Sequence, residues 1–143
     1  MPDINLKTKP HTLLYVEDNL ANLKLMESIV ARRPGMRLLC AQTGTKGIEM
    51  ARASPPDAIL MDINLPDFSG FMALQLLRED PATMHIPVIA LSANALPLNV
   101  ESGLEAGFFR YLTKPIVLEE FTRALDEALD LRAMRASAHT APR

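Results

Sequence analysis

Three carboxylates, a hydroxyl and an ammonium in this chain follow closely on short apolar runs. Glu17 and Asp18 come after residues 12–16, Asp62 after 58–61, Ser92 after 88–91, and Lys114 after 108–112. Apolar runs of this length bounded by turn residues read as buried strands. Parallel strands share one carboxyl edge, where open α/β sheets bind ligands. Three unpaired carboxylates within a few Å repel by roughly 1 kcal/mol per pair in water and severalfold more in a shielded cleft, so something cationic must offset them. Lys114 supplies one charge. Mg²⁺ would supply two more, since it takes oxygen ligands, typically one or two carboxylates with phosphate oxygens and waters. An aspartate beside Mg²⁺ and a lysine is also a nucleophile suited to phosphorus, aspartyl phosphate being a covalent enzyme intermediate. The chemistry suggested is acceptance of a phosphoryl group at Asp62.

The elements that must position these groups alternate along the chain. From Asn19, Leu20, Leu23, Met26 and Val30, with Leu25 and Ile29 beside them, recur at three and four residues as on one face of a helix, which Arg32-Arg33 and Pro34-Gly35 close. Residues 36–41 read as a second strand, and Thr43 as the N-cap of a helix to Ala53 that buries Ile48 and Ala51. Phe71, Leu74 and Leu77 share a helical face that Glu79-Asp80-Pro81 ends. Pro97 suits the first turn of a fourth helix and Gly107 the residue after its end. Residues 108–112 are the fifth strand, and a fifth helix from Leu118 repeats Phe121, Leu125, Ala128 and Leu131. Five strands alternating with five helices predict a parallel sheet covered by helices on both faces.

Composition narrows the class. The 143 residues suffice for one domain that buries roughly two thirds of its unfolded surface. A net charge of −2 with the signs interspersed argues against nucleic-acid or polybasic membrane binding. The single cysteine, Cys40, excludes an internal disulfide and a zinc module, and is expected to be a buried small apolar residue. No apolar run reaches membrane-spanning length and the polar start lacks a signal-peptide core, so a soluble, cytoplasmic protein is expected. His11, His85 and His139 have no metal-site spacing, and Gly44-Thr45-Lys46-Gly47 lacks the order of a nucleotide-binding loop.

Over about residues 12–131 the chain resembles the receiver domains of two-component response regulators, the chemotaxis-regulator-like family. The motifs that carry the likeness are the acidic pair Glu17-Asp18, Asp62 at a strand end with Pro66 and Gly70 in the following loop, Ser92-Ala93, Tyr111, and Lys114-Pro115. The spacings of 30 residues from Asp62 to Ser92 and 52 to Lys114 also match. The resemblance implies a flavodoxin-like, doubly wound (βα)5 fold with a five-stranded parallel sheet in the order 2-1-3-4-5. It implies a domain over 12–135, with a flexible lead over 1–11 and a disordered tail over 136–143. Asp62 would accept a phosphoryl group from a histidine kinase, a histidine phosphotransfer protein or a small phosphodonor. Asp18, Asp62, the backbone carbonyl of Asn64 and Glu17, directly or through water, would hold Mg²⁺. Lys114 and Ser92 would contact phosphate oxygens, and Tyr111 would follow Ser92 inward as a switch. The face of the fourth helix, fifth strand and fifth helix would meet a downstream protein or a second, phosphorylated copy, and a kinase would dock beside the first helix.

Two departures stand out: Glu17 where the family more often has aspartate, and Phe108 where it often has a small residue, expected to pack near the output face. Asn64 and Asn94 occupy positions that tune self-dephosphorylation. Neither is a general base, which predicts slow loss of the phosphoryl group and no enzymatic turnover. A haloacid-dehalogenase-like phosphatase is disfavoured because Asn64 replaces the required second aspartate and the acidic pair comes first in the chain. A degenerate, non-phosphorylated binding module is disfavoured because acceptor, lysine and hydroxyl are all present. The run Val16-Glu17-Asp18-Asn19-Leu20-Ala21-Asn22 is similar to receivers fused to hybrid sensor histidine kinases, so a module of such a kinase is the alternative. The short stretch after the fifth helix leaves no room for a DNA-binding domain, so output is expected through protein contact or phosphoryl relay.

Overall fold

The apolar runs fold as five strands, β1 (His11–Val16), β2 (Met36–Ala41), β3 (Ala58–Asp62), β4 (Val88–Ser92) and β5 (Arg110–Thr113). Between and after them lie α1 (Leu20–Ala31), α2 (Gly44–Ala53), α3 (Gly70–Arg78), α4 (Pro97–Ala106) and α5 (Leu118–Thr140). This is a computed structural model, and it describes residues 10–93 and 96–140, so Asn94 lies outside the described residues. All strand pairs are parallel, in the order β2-β1-β3-β4-β5, as expected for the (βα)5 fold.

Side chains alternate across a strand, and the sheet uses both sets. Leu13 and Tyr15 of β1, Leu60 of β3 and Leu91 of β4 face one core with Leu23, Met26 and Val30 of α1 and Phe121, Leu125 and Ala128 of α5. Leu14 and Val16, Ile59 and Met61, and Val88 and Ala90 face the opposite core, with Ile48 of α2 and Leu74 and Leu77 of α3. β3 is therefore buried along its whole length.

The helix ends follow local chemistry. Asn19, Thr43 and Ser69 cap α1, α2 and α3 by accepting from the amides of Asn22, Lys46 and Met72. Pro97 occupies the first turn of α4, and Gly107, at φ +116°, closes it in the left-handed conformation that suits glycine.

Several expectations shift. Leu20 is 62% exposed and Leu25 47%; the buried stripe of α1 is Leu23, Met26 and Val30, because Leu20 projects from the first turn beyond the sheet. β5 begins at Arg110 rather than 108. Phe108 precedes the strand and packs in the α2–α3 core, where its ring meets Phe71 edge-on at 5.4 Å and against which Tyr111 of β5 also packs. Cys40 is only partly buried, as β2 is an edge strand. β1 starts at His11, and α5 continues to Thr140 across residues expected to be tail, since Ala133 to Ala138 contain no helix breaker. Residues 1–9 and 141–143 lie outside the described residues. Among the described residues no helix is long and apolar enough to cross a membrane.

Candidate functional site

Register brings the first two carboxylates together. Val16 pairs with Met61 across β1 and β3, so the next residues of the two strands, Glu17 and Asp62, lie side by side on the face opposite Val16 and Met61. Asp18 completes the group, and a carboxylate oxygen from each of the three lies within 4.8 Å of the others. Glu17 is 1% exposed and Asp62 2%, whereas Asp18 is exposed.

Lys114 arrives from the far side of the sheet. β5 pairs with β4, aligning Ser92 with Thr113, and the Lys114 amide donates to the Ser92 carbonyl at 2.8 Å. From there the ammonium reaches both buried acids, 3.1 Å from Glu17 Oε1 and 3.2 Å from Asp62 Oδ2. The Lys114-Pro115 peptide is cis. Ser92 is buried at the end of β4. Tyr111 is not at the carboxylates: it is half-buried on β5, its ring against Gly103 of α4, where a Cβ would lie 2.4 Å from the ring.

The loop after β3 is tied down at several points. The Asn64 amide donates to Asp62 Oδ1 at 3.0 Å, and Asn64 bridges to Ser69 across the loop. Gly70 closes it: its amide donates to the Ile63 carbonyl, and a Cβ there would sit 2.7 Å from the Asp62 carbonyl oxygen. Asp67 joins the loop to α2, accepting from the Gly44 and Thr45 amides, each at 2.8 Å, and from the Thr45 hydroxyl. A cleft of about 300 Å³ beside the acids is lined by Asp18, Asn64, Asp67 and Ser69.

Electrostatics follow from burial and donors. Burial, assisted by the neighbouring Glu17, pushes the Asp62 carboxyl up to about 6 against the opposing effects of the Asn64 amide and Lys114. Burial also acts upward on Glu17, but its hydrogen bonds with Asp62, the Asn19 amide, Tyr15 and Lys114 outweigh it and hold the group below its ordinary range. Of the two touching acids, Asp62 is thus the one held above its ordinary range and Glu17 the one held below it. Burial opposes the charge on Lys114, yet the two acids raise its pKa. Asp67 sits in the opposite regime, its donors at the start of α2 outweighing a slight desolvation and holding it at about 2.

The sequence reading brought Glu17, Asp18, Asp62, Ser92 and Lys114 to one sheet edge, and all five stand there. It missed Tyr15, whose hydroxyl donates to Glu17 at 2.9 Å, Asn22, whose side chain reaches the same oxygen at 3.3 Å, and Asp67. Strand alternation could have found Tyr15, two residues before Glu17 on the same face. Nothing local signals the Asp67 contact, which spans 22–23 residues.

The arrangement can hold a hard cation on carboxylate oxygens, one of them from a buried aspartate beside an ammonium. The family model for the response regulator receiver domain matches residues 13–126. The chain is 34% identical over 120 residues to the polar-differentiation response regulator DivK of Brucella anthropi, a match covering 84% of this chain and 97% of DivK. Its fold resembles the receiver domain of sensor histidine kinase PA1611 from Pseudomonas aeruginosa, solved with a magnesium ion coordinated in the active site cleft, with 35% identity, a TM-score of 0.76, and coverage of 85% of this chain and 98% of that one. A sensor protein from Polaromonas is similar at 25% identity and a TM-score of 0.75, covering 85% of this chain and 98% of its own.

Proposed function

Since the chain belongs to the response regulator receiver domain family of two-component systems, we propose that Asp62 is its phosphoacceptor, taking a phosphoryl group from a histidine kinase or histidine phosphotransfer protein. The observation that carries this reading is the placement of one buried aspartate between a second acid and an ammonium at the carboxyl edge of the sheet. An Asp62 oxygen attacks phosphorus as the phosphorus–nitrogen bond of the donor's phosphohistidine breaks, and the departing imidazole keeps the electron pair and takes up a proton.

The residues fit Mg²⁺, since three carboxylates offer hard oxygen donors within 4.8 Å of one another. Asp18, Asp62, the Asn64 backbone carbonyl and Glu17 would hold it, and when bound it neutralises charge on the phosphoryl oxygens. Lys114, already at the Asp62 carboxylate, pairs with one phosphoryl oxygen, and Ser92 donates to another. Such charge-assisted contacts total several kcal/mol, enough to invert a two-state population. Tyr111, seated on α4, is the switch residue that reports this change to the α4–β5–α5 face, where a downstream protein or a second copy binds. The domain is a phosphoacceptor with at most slow self-dephosphorylation: the Asn64 carboxamide, two residues past the acceptor, is not a general base. The domain's mixed charge favours protein over nucleic-acid or membrane partners, and its single cysteine suits a reducing, cytoplasmic setting. Its likeness to the PA1611 receiver supports a second reading, a receiver module of a hybrid sensor kinase.

Intact-protein mass after incubation with acetyl phosphate tests the proposal. One added phosphoryl group is expected, dependent on Mg²⁺ and absent in Asp62→Asn. A folded, Mg²⁺-replete sample with no adduct would leave a binding module only.

A further inference from the structure

Glu17 is the longest acid in the site and has the most torsions to fix. It is also the most heavily solvated by protein. Its Oε1 accepts from the Tyr15 hydroxyl at 2.9 Å, from Lys114 Nζ at 3.1 Å and from Asn22 Nδ2 at 3.3 Å, while Oε2 accepts from the Asn19 amide at 3.2 Å. A carboxylate oxygen offers about two lone-pair directions, so three donors on Oε1 compete for them. The donors differ in what they can do next. Lys114 is shared with Asp62 Oδ2 at 3.2 Å and swings on a flexible stem. Tyr15 is 0% exposed, its ring locked between the sheet and the α1–α5 layer, and a buried phenol needs a hydrogen-bond partner. Among the described residues the Tyr15 hydroxyl makes its hydrogen bond to Glu17 alone.

We infer that Tyr15 is a positioning residue for the cation site: its fixed hydroxyl holds the Glu17 carboxylate and weakens the grip of Lys114 on it, so that the ammonium can yield its place to a divalent cation and turn to the phosphoryl group. Asn22 assists from α1. The inference rests on the reading of Glu17, Asp18 and Asp62 as a Mg²⁺ site. Without the hydroxyl, Lys114 and Glu17 pair more tightly and Glu17 loses its rigid anchor. Both effects oppose metal entry. Residues that orient metal ligands from behind are worth 10–100-fold in affinity, and with Asn22 and the Asn19 amide remaining we expect the lower end, about tenfold.

Tyr15→Phe keeps the ring and removes only the oxygen. Titrating metal-free protein with Mg²⁺ in a calorimeter should show binding weakened about tenfold in this variant, and less in Asn22→Ala. In a Glu17→Ala background Tyr15→Phe should weaken binding no further, because the group it positions is gone. With acetyl phosphate as donor, the Mg²⁺ concentration for half-maximal phosphorylation should rise in Tyr15→Phe while the plateau rate stays near wild type, a split that a general loss of packing would not produce. Equal Mg²⁺ affinity in wild type and Tyr15→Phe, or the same weakening with Glu17 absent, overturns the inference and leaves the receiver reading standing. Wild-type protein that binds no Mg²⁺ overturns both. Should Tyr15→Phe fail to fold, Asn22→Ala decides, and its unchanged affinity would sink the inference.

Discussion

Replacing Asp62 with its neutral isostere, asparagine, should make the metal-free protein more stable. Asp62 and Glu17 are both almost wholly buried and share one ammonium. Burial and the second acid push Asp62 up to about 6 from the ordinary 3.8. A carboxyl whose folded-state pKa is raised binds its proton more tightly folded than unfolded. Its contribution is therefore complete below the unfolded value and is lost as pH rises through the folded one. At 1.36 kcal/mol per pK unit, the loss reaches about 3 kcal/mol at pH 8 and is about 1 kcal/mol at pH 4.5. Asp62→Asn does not titrate and keeps an oxygen to accept from the Asn64 amide. In EDTA, urea denaturation followed by circular dichroism should thus find the variant more stable than wild type by up to about 3 kcal/mol at pH 8, narrowing to about 1 kcal/mol at pH 4.5. A variant no more stable at pH 8, or one with the same offset at both pH values, would refute the claim that Asp62 is held against its own ionisation.

Two further substitutions probe the frame. Asp67→Ala removes the acceptor that three donors of Gly44 and Thr45 share, and losing such a cap at α2 should cost about 1 kcal/mol in urea denaturation; an unchanged midpoint would mean that water replaces the carboxylate without loss. Gly103→Ala gains up to about 1 kcal/mol of helix propensity, but its Cβ would lie 2.4 Å from the Tyr111 ring and overpacking costs about 1–3 kcal/mol. A net loss of stability together with altered tyrosine fluorescence is expected, and a more stable variant would show that the ring is not confined by α4.

The fold was legible because its signals are local. Apolar runs marked the strands, Thr43, Pro97 and Gly107 marked helix ends, and chemistry-bearing residues at strand ends marked the edge. Leu20 misled because a period of three and four does not say where the neighbouring layer stops. Phe108 misled because a run of apolar residues does not reveal that its first member turns into a core before pairing begins. Tyr15 lay within the first apolar run, and it is indeed part of the core. The alternation of side chains along β1 puts the Tyr15 hydroxyl on the same face as the Glu17 carboxylate two residues on. The Asp67 contact depends on the β3–α3 loop folding back onto α2, a relation that no window along the chain contains.

The strand order has a consequence for how this site comes into being. Glu17 and Asp62 become neighbours only when β1 pairs with β3, and the ammonium joins them only when β5 has docked on β4, 52 residues beyond Asp62. Because long loops must close before such non-local contacts return any free energy, the acids gather before their counter-charge in any order of assembly that follows the chain. No fragment ending before β5 holds the complete set. The acid–ammonium cluster around Asp62 is thus a property of the finished topology, and its completeness reads out correct folding of the whole domain.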